Sequence, residues 1–586
     1  TKQDAIDVLE HCYVYSKPLQ IIDTELGLAI RDFVPTFPTA RPTEVISTES
    51  KPGGSFGHDV TSTLATGSLG SVILLVGGIG AGKTTFLHRF FTVVEPGLAD
   101  PKSGAVLITL DFLGALDRID DLDAFLWERV AAELKKRIPA VNDRRILEEI
   151  FADSLNIIKS VYVNADNEQR INDVLMGKVS DNKAFSQAVL GYCRMLKKLP
   201  IVVFDNVDQL GNNLQTHIFT LAEYFARHLG CLSILVVREE TFSTAQMQRQ
   251  LTAYTIRSYH LASPSFRDMI KLRIEFATNK AANEPQGNLQ LEDFDDDAVL
   301  QFFHLLRKSV FERNISILKF LEAISFGNMR FALEMFNNFI TSGATDMRKI
   351  LKIYNTYKHY TVPYHEFAKS VILGDYRFYK EERSSILNVF DTTATRNASH
   401  FTTLRILNFL VANADTEQIG EGYVELNKVI SAFVDLFDNE DDCLKTTLKL
   451  TQLRRQLVEL DTRRVDSLAG AFTIRITSAG RYYLKYLCHS FAYQDLVWQD
   501  TPFTKRTISA SLAKLIYSKD FEDRFRRVEI FLDYLRGHEE RELAESGLSE
   551  SSGAFGPFMP QIQIEFEKQK AEIINRIKTY EKNLKD

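Results

Sequence analysis

Residues 77–84 read Gly-Gly-Ile-Gly-Ala-Gly-Lys-Thr, and both the residue types and their spacing suit one chemical task, holding a polyphosphate. Glycine lacks the Cβ atom that would keep backbone N–H groups away from an anion, so a run of glycines lets successive amides converge on a β-phosphate. A lysine at the end of such a loop reaches the β- and γ-oxygens, and a hydroxyl one residue later suits Mg2+, which prefers hard oxygen donors. Gly77, Gly78, Gly80, Ala81, Gly82, Lys83, Thr84 and Thr85 are therefore the candidate nucleotide-binding set, with ATP and Mg2+ as the expected ligands. A second signature lies at 201–208, where Ile-Val-Val-Phe ends in Asp205 and is followed by Asn206, Val207 and Asp208. A carboxylate at the C-terminal end of a buried strand completes the shell of such a metal, on the expectation that its strand is the neighbour of the one feeding the glycine loop. Thr84 and Asp205 are the expected metal ligands.

These residues need a strand to deliver the loop and a helix to receive it. The apolar run 72–76 supplies the first, and 85–91 reads as a helix whose positive N-terminal end faces the phosphates. Strand-like runs at 72–76, 105–110, 201–204, 232–237 and 254–261 alternate with helical stretches, which predicts an α/β fold, a P-loop parallel-sheet ATPase core over 68–262. Within it, 118–198 reads as a charged helical insertion. Residues 1–67, rich in proline and glycine, form an N-terminal arm. A wholly helical pattern over 263–349 reads as a helical lid, and 350–398 as a connector. Over 399–499, helices near 401–411, 424–436 and 444–460 and an alternating strand at 472–476 compose an α+β winged-helix domain. A helical C-terminal region covers 500–586.

A chain of 586 residues is too long for one core, and 45% apolar with 25% charged residues is the balance of a soluble globular protein. No apolar run approaches the roughly 20 residues of a membrane helix, so no membrane partner is expected. The five cysteines are scattered without C-x-x-C spacing, which predicts neither a disulfide framework nor a zinc site, and a reducing cytoplasm is the expected location. A net charge of −7 argues against indiscriminate coating of nucleic acid but leaves room for a local basic face. Lys445, Lys449, Arg454 and Arg455 on the third helix of the winged module, with Arg475 and Arg481 on its wing and exit, are the candidate DNA contacts. Leu444, Leu448, Leu453, Leu457 and Leu460 are expected to bury the opposite face of that helix.

With the glycine loop and the acid-bearing strand in place, the chain resembles the STAND and AAA+ branch of P-loop NTPases, including its Orc/Cdc6-like and NACHT- or KAP-like members. Asp205-Asn206-Val207-Asp208 has the acid, spacer, apolar residue and second acid of the NACHT- and KAP-like members. That resemblance implies that Asp208 polarises the attacking water. Arg238, ending the run 232–237, resembles a STAND γ-phosphate sensor, and Gly327-Asn328-Met329-Arg330 resembles the turn that opens an AAA+ lid helix with a nucleotide-touching arginine. Asp208, Arg238 and Arg330 are thus the candidate catalytic residues. Thr477 to Arg481 resembles the exit of a winged helix, with Thr477 as a helix cap. Asn206 stands where many AAA+ enzymes carry a catalytic glutamate, so the resemblance implies ATP binding and leaves hydrolysis open.

The function this implies is an ATP-binding, ATP-hydrolysing molecular switch that controls assembly and signals to DNA or to a separately encoded effector protein. A homo-oligomer is expected, in a setting of bacterial antiphage defence. Two other readings fit the same residues: an Orc/Cdc6-like DNA-binding initiator ATPase, and a non-hydrolysing, ATP-bound scaffold for an effector.

Overall fold

The computed structural model describes residues 2–14, 71–94, 96, 105–113, 121–161, 167–196, 198–238, 256–283, 296–313, 315–341, 347–357, 361–393, 398–414, 422–452, 456–461, 472–548 and 553–583. The chain divides into two compact units, Thr1–Ser265 and Phe266–Asp586.

The first unit is built on five parallel strands, β1 (Ser71–Val76), β2 (Ala105–Asp111), β3 (Leu199–Asp205), β4 (Leu232–Val237) and β5 (Ile256–His260), in the order β2-β3-β4-β1-β5. All seven residues of β3 and all six of β4 are buried, as strands covered on both faces must be. Successive side chains alternate between two cores. Leu74, Val76, Val202, Phe204, Leu235 and Val237 point into one, while Ile73, Leu75, Ile201, Val203, Ile234 and Val236 point into the other. Each large side chain so buried contributes about 1.5–3 kcal/mol.

One expectation is corrected here: β3, which ends in Asp205, is not the neighbour of β1, because β4 lies between them. After β1 the chain crosses to the far edge at β2 and then returns one strand at a time through β3 to β4, filling the gap.

Helix α1 (Lys2–His11) begins the arm. Tyr13, just beyond it, packs on the second core with the Arg89 guanidinium 4.7 Å above its ring. Arg89 ends α2 (Lys83–Arg89), so the start of the arm rests against the helix that follows the glycine loop. The rest of the arm, from residue 15, lies outside the described residues.

The insertion consists of α3 (Leu122–Arg137), α4 (Arg144–Ile150), α5 (Ala152–Val161), α6 (Asn167–Ser180) and α7 (Asn182–Met195). Phe125, Trp127, Val130 and Leu134 of α3 and Phe185, Val189 and Leu190 of α7 belong to the main core, whereas α5 and α6 share a small cluster of Leu155, Ile171 and Leu175 with Phe151. Helix α8 (Asn212–Arg227) leads from β3 to β4.

The second unit opens with α9 (Phe266–Asn283), α10 (Asp296–Lys308), α11 (Ile315–Ser325), α12 (Met329–Thr341), α13 (Met347–Tyr357) and α14 (Tyr364–Leu373). The stretch 374–393, expected as a connector, is irregular yet buried over 384–390, with Tyr379, Ile386, Leu387, Val389 and Phe390 in the core. Buried amides require partners, and here distant side chains supply them. The Tyr483 hydroxyl accepts from Leu387 N at 2.8 Å, that of Tyr493 from Val389 N at 2.8 Å, and Gln499 Oε1 from Tyr379 N at 2.8 Å.

Helix α15 (Thr402–Asn413) is followed by β6 (Val424–Glu425), α16 (Leu426–Phe437), α17 (Glu440–Leu450), β7 (Val458–Leu460), β8 (Thr473–Ile476) and α18 (Ser478–Tyr482); the strands form an antiparallel sheet in the order β6-β8-β7. The helix expected over 444–460 therefore ends at Leu450, and its last residues belong to β7. Leu457 N bonds Leu450 O at 2.9 Å, so the residue before β7 is tied to the end of α17.

The rotation of α17 also differs from expectation. Leu444 and Leu448 are 36% and 60% exposed, and Asp442, Cys443, Thr446, Thr447 and Leu450 face inward. Asp442 sets that rotation, for its carboxylate accepts hydroxyl bonds from Thr393 and Thr402 and a bond from Ser399 N at 3.3 Å. Thr477 caps α18, its Oγ1 accepting from Gly480 N at 3.1 Å.

Helices α19 (Phe491–Val497), α20 (Arg506–Leu515), α21 (Phe521–Glu545) and α22 (Met559–Asn583) complete the unit. Among the described residues no helix is long and apolar enough to cross a membrane.

Candidate nucleotide site

The loop between β1 and α2 is pinned at both ends. Gly77 N bonds to Val237 O of β4 at 3.3 Å, and a Cβ at Gly77 would lie 2.7 Å from the backbone oxygen of Leu261, so only glycine fits. Gly80 and Gly82 adopt φ of 70° and 88°, in the left-handed region that side chains resist. The second of these turns the chain into α2, and Gly82 O accepts the first helical bond, from Phe86 N at 2.7 Å. The opening amides of a helix have no intrahelical partner and carry its positive end. Lys83, Thr84 and Thr85 occupy that opening turn, with both threonines exposed. Lys83 Nζ donates to Gly77 O at 2.7 Å and Gly78 O at 3.1 Å, which holds the ammonium over the loop. Phe86, Leu87 and Phe90 anchor the helix beneath.

Although two strands removed from β1, Asp205 reaches this loop: the Thr84 side chain hydrogen-bonds its carboxylate. Asn206 N donates to Asp205 Oδ1 at 2.9 Å. Burial pushes the Asp205 carboxyl upward from its ordinary range, the Thr84 and Asn206 bonds oppose this, and the charges of Asp111 and Asp208 add to it. A hydroxyl and a carboxylate meeting at the mouth of a glycine loop, with two further carboxylates close by, are a hard-oxygen set that fits Mg2+.

Asp208 and Arg238, expected separately, are brought together as an ion pair linking the exits of β3 and β4, with side chains 6% and 19% exposed. Gln209 Nε2 also donates to Asp208 Oδ2 at 3.3 Å. Asn206 sits in the left-handed region at φ 60°, and its Nδ2 donates to Asp111 Oδ1 at 2.8 Å.

Asp111 was not among the sequence-derived candidates. It ends β2 directly across from Asp205 in the parallel register. The pattern that marks Asp205, an apolar run closing on an acid, also marks 105–111.

Arg330 lies in the second unit, exposed in the first turn of α12. The turn before it is capped by Asn328, whose Oδ1 accepts from Phe331 N at 3.1 Å, and Phe326 and Gly327 take φ of 45° and 76°.

Of the candidate DNA contacts, Lys445 and Arg481 are exposed. Lys449 Nζ bonds Asp391 and Glu381, each at 2.7 Å. Arg475 Nε bonds Glu459 at 2.6 Å and stacks over Tyr423. Arg454 and Arg455 lie outside the described residues. The exposed face of α17 thus carries Glu440, Asp441, Leu444, Lys445 and Leu448 and is not basic.

No family model matches the chain, and no curated protein does. Solved structures similar to it include Cdc6p from Pyrobaculum aerophilum (10% identity, 76% of this chain and 93% of that one, TM-score 0.28) and the Aeropyrum pernix ORC2 protein in its ADP form (12%, 77% and 95%, TM-score 0.33). The Drosophila ORC bound to DNA is a third (11%, 79% and 99%, TM-score 0.24). At TM-scores this low, the function of the site rests on its own geometry.

Proposed function

We propose that the chain is a P-loop ATPase of the AAA+ or STAND kind, a switch whose first unit binds ATP with Mg2+. The observation that carries this reading is the meeting of Thr84 with Asp205 at the mouth of a loop over which Lys83 is held. In it, the loop amides and Lys83 grip the β- and γ-phosphates, and Thr84 and Asp205 hold the metal, which when bound neutralises phosphate charge. Arg238 reads the γ-phosphate. Asp208, buried against Arg238, aims that guanidinium instead of polarising water, because its own charge is already engaged. Arg330 serves as the lid residue that answers to bound nucleotide.

The helices, strands and capped exit over 402–482 support a winged-helix module as the output. The apolar and acidic exposed face of α17, together with the internal pairing of Lys449 and Arg475, favours an effector protein over DNA as its partner. Assembly into a homo-oligomer follows from the same switch reading.

Calorimetry of the full chain with ATP and Mg2+ tests the core of the proposal. Saturable binding is expected, weakened about 10- to 100-fold by Lys83→Ala through the loss of charge-assisted bonds worth about 1.5–3 kcal/mol. Absence of uptake, or equal affinity of the Lys83→Ala variant, overturns it.

A further inference from the structure

We infer that Asp111, at the end of β2, is the carboxylate that accepts the proton of the attacking water, and that Asn206 is its positioning residue. This rests on the reading of the site as an ATPase. Three carboxylates gather at the exits of β2 and β3, and two are engaged. Asp205 is buried, bonded by the Thr84 hydroxyl and by Asn206 N. Asp208 is buried and its carboxylate is already committed to the Arg238 guanidinium.

Asp111 differs from both. Its side chain is exposed, and its Oδ1 takes two bonds, from Asn206 Nδ2 at 2.8 Å and from Leu113 N at 3.0 Å. Its Oδ2 accepts no bond from any described residue. A carboxylate clamped through one oxygen and open at the other is oriented for proton transfer, since a general base must present a free lone pair at fixed geometry.

Register brings this group to the right place. Asp111 pairs with Asp205 across adjacent parallel strands, whose spacing is about 4.8 Å. The residue following Asp205 is an asparagine, which cannot accept a proton, but its amide grips Asp111. The left-handed backbone of Asn206, at φ 60°, turns its side chain toward β2. The base is thus supplied one strand further out, and the residue at 206 holds it.

The step balances without another reagent. The water oxygen bonds to the γ-phosphorus, the bond from that phosphorus to the β,γ-bridging oxygen breaks with its electron pair leaving on ADP, and the water proton passes to Asp111 Oδ2.

Steady-state ATP turnover and ATP binding by calorimetry are measured on the full chain for the wild type, Asp111→Asn, Asn206→Ala and Asp111→Asn with Asn206→Glu. Loss of a general base lowers turnover about 10²- to 10⁴-fold, so Asp111→Asn is expected to reduce kcat about 10²-fold with ATP affinity within about threefold of the wild type. Asn206→Ala is expected to reduce kcat about 10-fold, since Asp111 loses one of its two clamps. Asn206→Glu returns a carboxylate from β3 and is expected to recover at least tenfold of the turnover lost in Asp111→Asn, which a merely structural role for Asp111 would not allow.

Wild-type turnover retained in Asp111→Asn overturns the assignment, as does ATP binding by the wild type with no turnover above that of Lys83→Ala. Should Asp111→Asn lose ATP binding, the Asn206→Glu rescue decides: failure to restore turnover in a double variant that binds ATP counts against Asp111. Failure of the wild type to bind ATP at all instead removes the reading of the site itself.

Discussion

Replacing Arg238 by methionine probes the ion pair that ties the exit of β4 to the exit of β3. Asp208 is 6% exposed and Arg238 19%. Removing one partner of a buried pair strands the other charge away from water and costs about 3–5 kcal/mol. Because one fifth of Arg238 is open to solvent, the lower end applies, about 3 kcal/mol for Arg238→Met. Asp208→Asn leaves an acceptor and a partly hydrated guanidinium, so about 2 kcal/mol is expected. The double variant strands no charge and should also lose only about 2 kcal/mol, leaving a coupling of about 3 kcal/mol between the two positions.

The two tryptophans allow a clean assay. Trp127 lies in the core of the first unit and Trp498 in the second, so Trp498→Phe gives a background in which fluorescence follows the first unit alone. Equilibrium urea unfolding of the four combinations yields the cycle. Additivity within about 0.5 kcal/mol would refute the idea that these side chains depend on each other, and with it the claim that Asp208 aims Arg238.

Two other outcomes follow from the same structure. Gly77→Ala forces a methyl to within 2.7 Å of the Leu261 backbone oxygen and should cost about 2 kcal/mol, whereas Gly82→Ala meets nothing within 4 Å and pays only the left-handed penalty of about 1 kcal/mol; thermal melts that reverse this order would contradict the loop geometry. All five cysteines are buried, and burial pushes the Cys193 thiol up to about 11 and that of Cys443 up to about 12. At pH 8 these two remain thiols, so a disulfide reagent should release no fast equivalent from native protein and five from protein in guanidinium; a rapid native equivalent would show that a described core is open.

What the sequence disclosed, and what it hid, divides by the range of the interactions. The geometry of the glycine loop was legible because its residue types stand at fixed spacing between a strand and a helix. Asp205 was legible because β3 is buried on both faces and reads as an unbroken apolar run closed by an acid. The neighbour of β3 was not legible, since strand order depends on crossovers that leave no local mark. Asp111 carried the same local mark as Asp205, but its meaning comes from Asn206, 95 residues away, across a strand pairing. In the second unit the leucine period over 444–460 suggested one long helix. The long-range bonds to Asp442 rotate α17 otherwise, and the alternating Val458 and Leu460 pair with β8. The stretch 374–393 reads as a loop because its tyrosines and charges hide a buried path, made tenable by hydroxyls about a hundred residues further along.

That buried path has a mechanical side. It is threaded between the α14 helix and the segment after α18, while Phe320 of α11 meets the Tyr482 ring at 5.8 Å and Ser478 Oγ donates to Ala323 O at 3.2 Å. Helix α11 and the segment around α18 are therefore packed within one compact unit. A gene fragment cut near residue 350 or 398 would sever these pairings within one compact unit and leave each piece with part of its core laid open, and so no portable domain.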